Sequence, residues 1–268
     1  MDFAFTDDQI ELKRLAREWL AERYPLDRDW DAPQDDRWSE LAELGWLDVA
    51  EAGLGFVEEA ILLEETGYAL YPGPYLAHVA GQNGVVELNG LAYGGDGGEP
   101  LATVDPGRPL RRVGGNGSKE TPRLRAAMAA EALGVAQRAL ELGVQHAKTR
   151  EQFGKPIGVY QAVSHQLANT YADVELARSL VYWAAWCVAE DDEQGAVAAA
   201  AAKAFAVEAA VAACERSIQV HGGTGFTWEH PLHRFYKRAL WLEAFGSSPA
   251  ELRRDVADAV LGRVTVSV

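Results

Sequence analysis

Two cysteines are all that the 268 residues contain, Cys187 and Cys214, each inside an alanine-rich stretch. No Cys-x-x-Cys spacing occurs, which excludes a cysteine-built zinc site, and two thiols are too few for a disulfide scaffold. Buried free thiols are the expected state. Basic residues are also scarce: there are 25 Lys and Arg against 40 Asp and Glu, a formal net charge of -15, with no Lys/Arg run. Such a surface repels phosphate backbones, so nucleic acid is not an expected partner. Residues 1–8 lack the basic and apolar regions of a signal peptide. Long uncharged apolar runs are missing too. The most apolar stretch, 196–211, is mostly alanine and carries Lys203 and Glu208, which predicts no membrane span and, by default, a cytoplasmic protein. What is present, 48% hydrophobic and 24% charged residues, suits a folded chain of one large or two small domains.

Three zones follow one another. Residues 1–80 read as short helices. Thr6 and Gln9 have capping-box spacing, Ile10, Leu12, Leu15, Trp19 and Leu20 recur at mostly helical intervals up to Pro25, and Trp38, Leu41, Leu44 and Leu47 continue the pattern around Gly45. An amphipathic segment over 56–70 stops at Tyr71-Pro72-Gly73-Pro74. Residues 81–120 hold eleven glycines and three prolines. Short apolar pieces at 85–88, 101–104 and 110–113, between turn signals at Asn89-Gly90 and Asp96-Gly97, predict two or three short strands or an extended loop. So small a sheet needs another surface to pack on. Residues 121–268 read as long helices: one from Pro122 to about 146–150, one over 161–189, one over 196–220, one after Pro231 and one after Ser248-Pro249. Short loops between long helices predict an antiparallel bundle.

Two loops of this bundle carry chemistry. In Thr149-Arg150-Glu151-Gln152-Phe153-Gly154-Lys155-Pro156-Ile157-Gly158, the arginine fork suits phosphate oxygens, Phe153 suits a flat ring, and Gln161 at the next helix start suits a base edge or a phosphate. An inter-helix connector with Arg150 capping carbonyls would use the same residues. In Gln219-Val220-His221-Gly222-Gly223-Thr224-Gly225-Phe226-Thr227-Trp228-Glu229-His230, three glycines in four positions admit close backbone approach to a ligand, or simply stop a helix. His230 and His233 flank Pro231 without a third ligand, so no metal site is expected.

The two loops, in this order and separated by a long helix pair, resemble the flavin-binding signatures of the acyl-CoA dehydrogenase family. The opening Asp2-Phe3-Ala4-Phe5-Thr6-Asp7-Asp8-Gln9, the Leu41-Ala42-Glu43-Leu44-Gly45-Trp46-Leu47 segment and nearly everything after residue 121 share the likeness. The resemblance implies a mainly α fold: an N-terminal helical domain (1–80), a strongly reduced β middle segment (81–120) and a C-terminal four-helix bundle (121–268). It implies FAD, with Arg150, Gln152, Phe153 and Gln161 near the pyrophosphate and Gln219, Gly222 and Gly223 holding the ADP portion of a flavin belonging largely to a neighbouring subunit. It also implies an acyl-CoA substrate and an electron-transfer flavoprotein as acceptor.

The pattern breaks in two places. The family's β-domain, which walls the flavin ring, is reduced to the glycine-rich zone. The family's base positions hold no carboxylate: Gly246, after Lys237-Arg238-Ala239, stands at one and Leu124 at the other. Proton removal next to the thioester requires a carboxylate within hydrogen-bond reach. Glu131 and Glu243 are the weak substitutes. The resemblance therefore implies the non-catalytic-type subunit of a heteromeric, actinobacterial, steroid-CoA-type assembly, a heterotetramer with a homologous catalytic chain. A self-sufficient homo-oligomer with a displaced base and a flavin-free scaffold are the rival expectations.

Overall fold

Thr6 opens the first helix of the computed structural model, which describes residues 4–30, 32, 34–114 and 119–262. The Asp2-Phe3 part of the opening motif lies outside the described residues. Helix α1 (Asp7–Arg23) has the expected capping box, with Gln9 N donating to Thr6 Oγ1 at 3.2 Å and Thr6 N donating to Gln9 Oε1 at 3.0 Å. Helix α2 (Trp38–Glu43) ends before Gly45, which takes φ +74°, so Leu44 and Leu47 fall beyond it. Helix α3 (Phe56–Ala69) matches the amphipathic segment. A further helix, α4 (Tyr75–Ala80), follows Pro74 and was not expected.

The glycine-rich zone folds as four three-residue strands where two or three, or an extended loop, were expected: β1 (Val86–Leu88), β2 (Leu91–Tyr93), β3 (Glu99–Leu101) and β4 (Leu110–Arg112). They pair antiparallel in the order β1-β2-β4-β3. Asn89 and Gly90, at φ +51° and +76°, make the tight primed turn joining β1 to β2. The piece expected over 101–104 is displaced, because pairing with β4 selects 99–101. Val86, Leu88 and Tyr93 join the main core, which gives the sheet the packing surface it needs.

The bundle comprises α5 (Pro122–Thr149), α6 (Gln161–Ala189), α7 (Gly195–His221), α8 (Leu232–Ala244) and α9 (Pro249–Leu261). Helix α5, at 28 residues, is roughly 42 Å long. Helix α7 packs against α5, α6, α8 and α9, and its alanines let those neighbours approach closely. By length and composition the stretch Gly195–Phe226 passes as a membrane span, contrary to expectation, but 67% of its most apolar window is buried, as in a core helix. Cys187 and Cys214 are buried free thiols.

Helices α3 and α5 touch through glycine. A Cβ on Gly67 would collide with the Glu131 carbonyl, and one on Gly134 with the Glu64 carbonyl. Residue 64 thus lies opposite 134 and 67 opposite 131, the order of an antiparallel crossing. Both helices carry the same Glu-x-x-Gly spacing, and both glutamates are fully buried. Glu64 accepts from Lys13 Nζ (2.6 Å), Arg178 (2.6 Å) and Tyr182 (2.5 Å). Burial alone would raise its pKa, but the Lys13 and Arg178 charges outweigh it and hold the carboxylate below its usual range. A Gly134→Ala variant has no room to relax against backbone and should lose about 3 kcal/mol or more in urea unfolding. Wild-type stability in that variant would show that the helices are not in backbone contact.

Candidate functional site

The two predicted loops leave the same end of the bundle, where α5 and α7 terminate side by side. His146 near the end of α5 stacks on His221 at the end of α7 (centroids 4.1 Å apart, 27°), and His230 lies 4.5 Å from His221 on its other contact. His221 Nδ1 lies 2.8 Å from the Ser217 carbonyl, which can only accept, so Nδ1 carries the proton. Burial lowers the pKa of all three rings, and with the neighbouring His221 and His146 it pushes His230 down to about 4. The stack is therefore neutral at physiological pH and holds the loops together by ring packing.

The first loop is a hairpin of β5 (Glu151–Gln152) and β6 (Lys155–Pro156), turning at Phe153 (φ +54°) and Gly154 (φ +76°). Phe153 is 91% exposed, an unusual position for a bulky ring in left-handed backbone. Arg150, Gln152 and Gln161 are exposed. The Arg150 side chain takes no carboxylate partner and caps no carbonyl among the described residues, so the connector role does not describe it. In the second loop Gly222 takes φ +60°, ψ -136°, a conformation essentially reserved for glycine. A Cβ on Gly222 or Gly223 would meet nothing, so their surfaces face open space. Gln219 is exposed, as are the Phe226 (75%) and Trp228 (59%) rings. An unpaired guanidinium, bare glycine backbone and exposed aromatic rings at one bundle end fit a phosphate-bearing, planar cofactor. Phe226 and Trp228, both within the quoted loop, were not singled out from sequence.

The expected base positions are apolar or filled. Leu124 is buried and lines, with Val86, Leu88, Lys119 and Thr121, a cavity of about 340 Å³. Gly246 sits at φ +86°, and a Cβ there would lie 2.5 Å from Glu120 Oε1 and 3.0 Å from Leu88 Cδ1. Glu120 therefore fills the space beside Gly246 from another segment. It is held by the buried Lys203 and by Arg125 (3.1 Å), and Lys203 also donates to the Phe245 carbonyl at 2.9 Å. Burial lowers the Lys203 pKa, and the Glu120 charge opposes that.

The two substitute bases differ: Glu131 is engaged and Glu243 accepts no hydrogen bond among the described residues. Glu131 is fully buried and accepts from Arg108 and, at 2.7 Å, from Arg238, whose charges overcome burial and hold its pKa down. It is a structural counter-charge, closed off from substrate. Arg238 also binds Asp105, and Arg108 donates to Tyr93 Oη and the Gly73 carbonyl (2.9 Å). Glu243 is half-buried, its pKa raised by burial and then by Glu208 and Glu215. The spacing rules applied to the sequence offered no sign of Glu120 or Arg108; a lone lysine in an alanine-rich helix, Lys203, was the available signal for a buried carboxylate partner. Restoring a glutamate by Gly246→Glu should cost about 2–4 kcal/mol of stability, from left-handed backbone and collision with Glu120, without creating dehydrogenase activity in the chain alone. Thermal unfolding at unchanged stability would show that Glu120 does not fill the gap.

Comparison with known proteins bears on this geometry. The model of the acyl-CoA dehydrogenase N-terminal domain matches residues 6–97, and that of the C-terminal domain matches residues 119–261. The acyl-CoA dehydrogenase IpdE2 of Mycobacterium tuberculosis is 39% identical over 166 residues, covering 58% of this chain and 49% of its own length. The acyl-CoA dehydrogenase FadE27 of the same organism is 34% identical over 231 residues, covering 76% and 57%. The chain thus spans about half the length of the curated relatives it matches. A chain of the ChsE4-ChsE5 complex of Mycobacterium tuberculosis superposes with TM-score 0.80 at 22% identity, covering 98% of this chain and 99% of that one, a likeness of fold. Matched by both terminal-domain models, over residues 6–97 and 119–261, the chain belongs to the acyl-CoA dehydrogenase family.

Proposed function

We propose that this chain is a subunit of a heteromeric FAD-dependent acyl-CoA dehydrogenase, lending part of a flavin site to a homologous partner that supplies the catalytic glutamate. The observation that carries this reading is the pairing of two opposite conditions in one chain. The side chains of Arg150, Gln152, Phe153, Gln161 and Gln219 are exposed and Gly222 and Gly223 face open space, whereas the space at Gly246 is filled by Glu120. A chain that keeps exposed cofactor-contact residues while its own base position is closed fits a contributor to another chain's site. The short four-stranded sheet supports the same reading, since a flavin ring needs a wall that excludes water from the reacting carbon.

In this assembly Arg150, with Phe153, Gln152 and Gln161 nearby, would hold the pyrophosphate of the flavin. Gln219 with the bare backbone of Gly222 and Gly223 would receive the ADP portion. Flavin bound there supplies a two-electron acceptor for the hydride of an α,β-desaturation. The proton from the α-carbon goes to the partner's carboxylate, because Glu131 is locked between two arginines. The substrate is an acyl-CoA of the steroid side-chain type, and the physiological acceptor an electron-transfer flavoprotein. A heterotetramer is the proposed stoichiometry, and a structural neighbour solved as the ChsE4-ChsE5 complex supports pairing with a second, different chain.

The purified chain alone should be colourless and inactive, whereas the complex formed by co-expression with a homologous catalytic chain should be yellow, with about half a flavin per chain. In that complex Arg150→Gln should weaken flavin retention by roughly ten- to a hundredfold, the effect of losing charge-assisted hydrogen bonds. Stoichiometric FAD and acyl-CoA dehydrogenation by the isolated chain would overturn the proposal.

A further inference from the structure

The second loop is closed by a ring contact across its own length. It leaves α7 at His221 and, after Gly222 and Gly223, returns so that His230 lies 4.5 Å from the same His221 ring. His146 of α5 stacks on His221 as well. Gly225 seats the intervening turn, since a Cβ there would lie 2.7 Å from the Ile218 carbonyl oxygen and 3.0 Å from His221 Cβ. Beyond the turn, Trp228 stacks on His233 of α8 (4.7 Å, 21°), so that half of the loop is tied to α8.

Hydrogen bonding makes the closed loop an arrangement for neutral rings. His230 Nδ1 accepts from Leu232 N at 3.3 Å, so that nitrogen carries no proton while the loop is closed. A second proton on this ring belongs on Nδ1, where it would face the Leu232 N–H and the positive end of α8. His221 Nδ1 is already committed as donor to the Ser217 carbonyl. The charged and titratable groups acting on the three rings are the rings themselves, Arg150 at the end of α5 and His233 of α8. None of them is a carboxylate that could balance an imidazolium. Closure, by burying the rings, lowers all three pKa values, that of His230 to about 4 from an ordinary 6.5. The stability that the stack contributes is therefore complete above pH 6.5 and is lost as pH falls toward 4.

We propose that His221 and His230 form an acid-sensitive clasp that holds the 222–229 loop in the shape presenting Gly222 and Gly223, and that proton uptake by His230 opens it. Opening exchanges the Leu232 hydrogen bond and the ring contact for hydration of an imidazolium. At pH 5 an open loop, in which His230 titrates at its ordinary value, is favoured roughly twentyfold more than at pH 7. Protonation of His221 and His146 acts in the same direction. The clasp is a property of this chain by itself; its consequence, loss of flavin from an assembled complex in acid, rests on the function proposed above.

Histidine Cε1–H NMR titration of the full chain should place His221 and His230 below the ordinary histidine value. Hydrogen exchange, corrected for its intrinsic pH dependence, should show the 222–232 amides losing protection about tenfold or more from pH 7 to pH 5, while amides in the middle of α5 keep theirs. In His230→Phe, which keeps a ring and takes no proton, protection should be equal at the two pH values. The wild-type titration and exchange decide the matter even if that variant misfolds. Both rings titrating at the ordinary value, wild-type exchange unmoved by acid, or acid opening that persists in His230→Phe would each overturn the clasp. In the co-expressed complex, flavin retention should fall over the same pH range in the wild type and not in His230→Phe. A loop that opens in acid while the complex keeps its flavin would sustain the clasp and count against the flavin reading instead.

Discussion

Backbone contact between two helices is possible only where neither carries a side chain at the crossing, and α3 meets α5 at such a point. Gly67 and Gly134 each lie against the other helix's carbonyl, and the glutamates one turn away, Glu131 and Glu64, are sealed on either side. Sealing a carboxylate is tolerable only when cations come with it. Glu64 draws in Lys13 of α1 and Arg178 of α6, while Glu131 draws in Arg108 of the β3–β4 turn and Arg238 of α8. One close crossing therefore recruits the N-terminal helix, the small sheet and the bundle into a shared core. That linkage lets a chain with so short a sheet bury the sheet's apolar face at all.

The same economy of charge explains the closed base position. Lys203 is buried in the alanine-rich α7, and a buried ammonium needs a carboxylate. Glu120 supplies it, and its carboxylate stands against Gly246. The absence of a side chain at Gly246 and the presence of the Glu120–Lys203 pair are thus one structural fact. Openness at the other end of α5 and α7 follows from the reverse condition: no internal carboxylate among the described residues claims Arg150, and glycine leaves backbone uncovered.

Much of the architecture was readable because it is local. The Thr6–Gln9 box, the Pro122 start, the Gly222 stop and the Asn89-Gly90 turn each depend on a few neighbouring residues whose backbone preferences are intrinsic. Strand β2 was missed because three residues have no periodicity of their own; β2 is a strand because it lies between β1 and β4. Helix α4 was missed for a similar reason, since Pro74 reads as an end as readily as a beginning.

The sequence by itself determined the helix starts at Thr6 and Pro122, the stop at Gly222, the glycine-rich loops and their family resemblance, since these rest on torsional preference and short-range spacing. Tertiary structure alone decided which glutamates are available. Glu131, within α5, and Glu120, just before it, look like ordinary surface carboxylates until folding places arginines and a lysine against them. Availability of an ionisable group depends on what desolvates and pairs it, and Arg108, Lys203 and Arg238 come from 23 to 107 positions away in the chain.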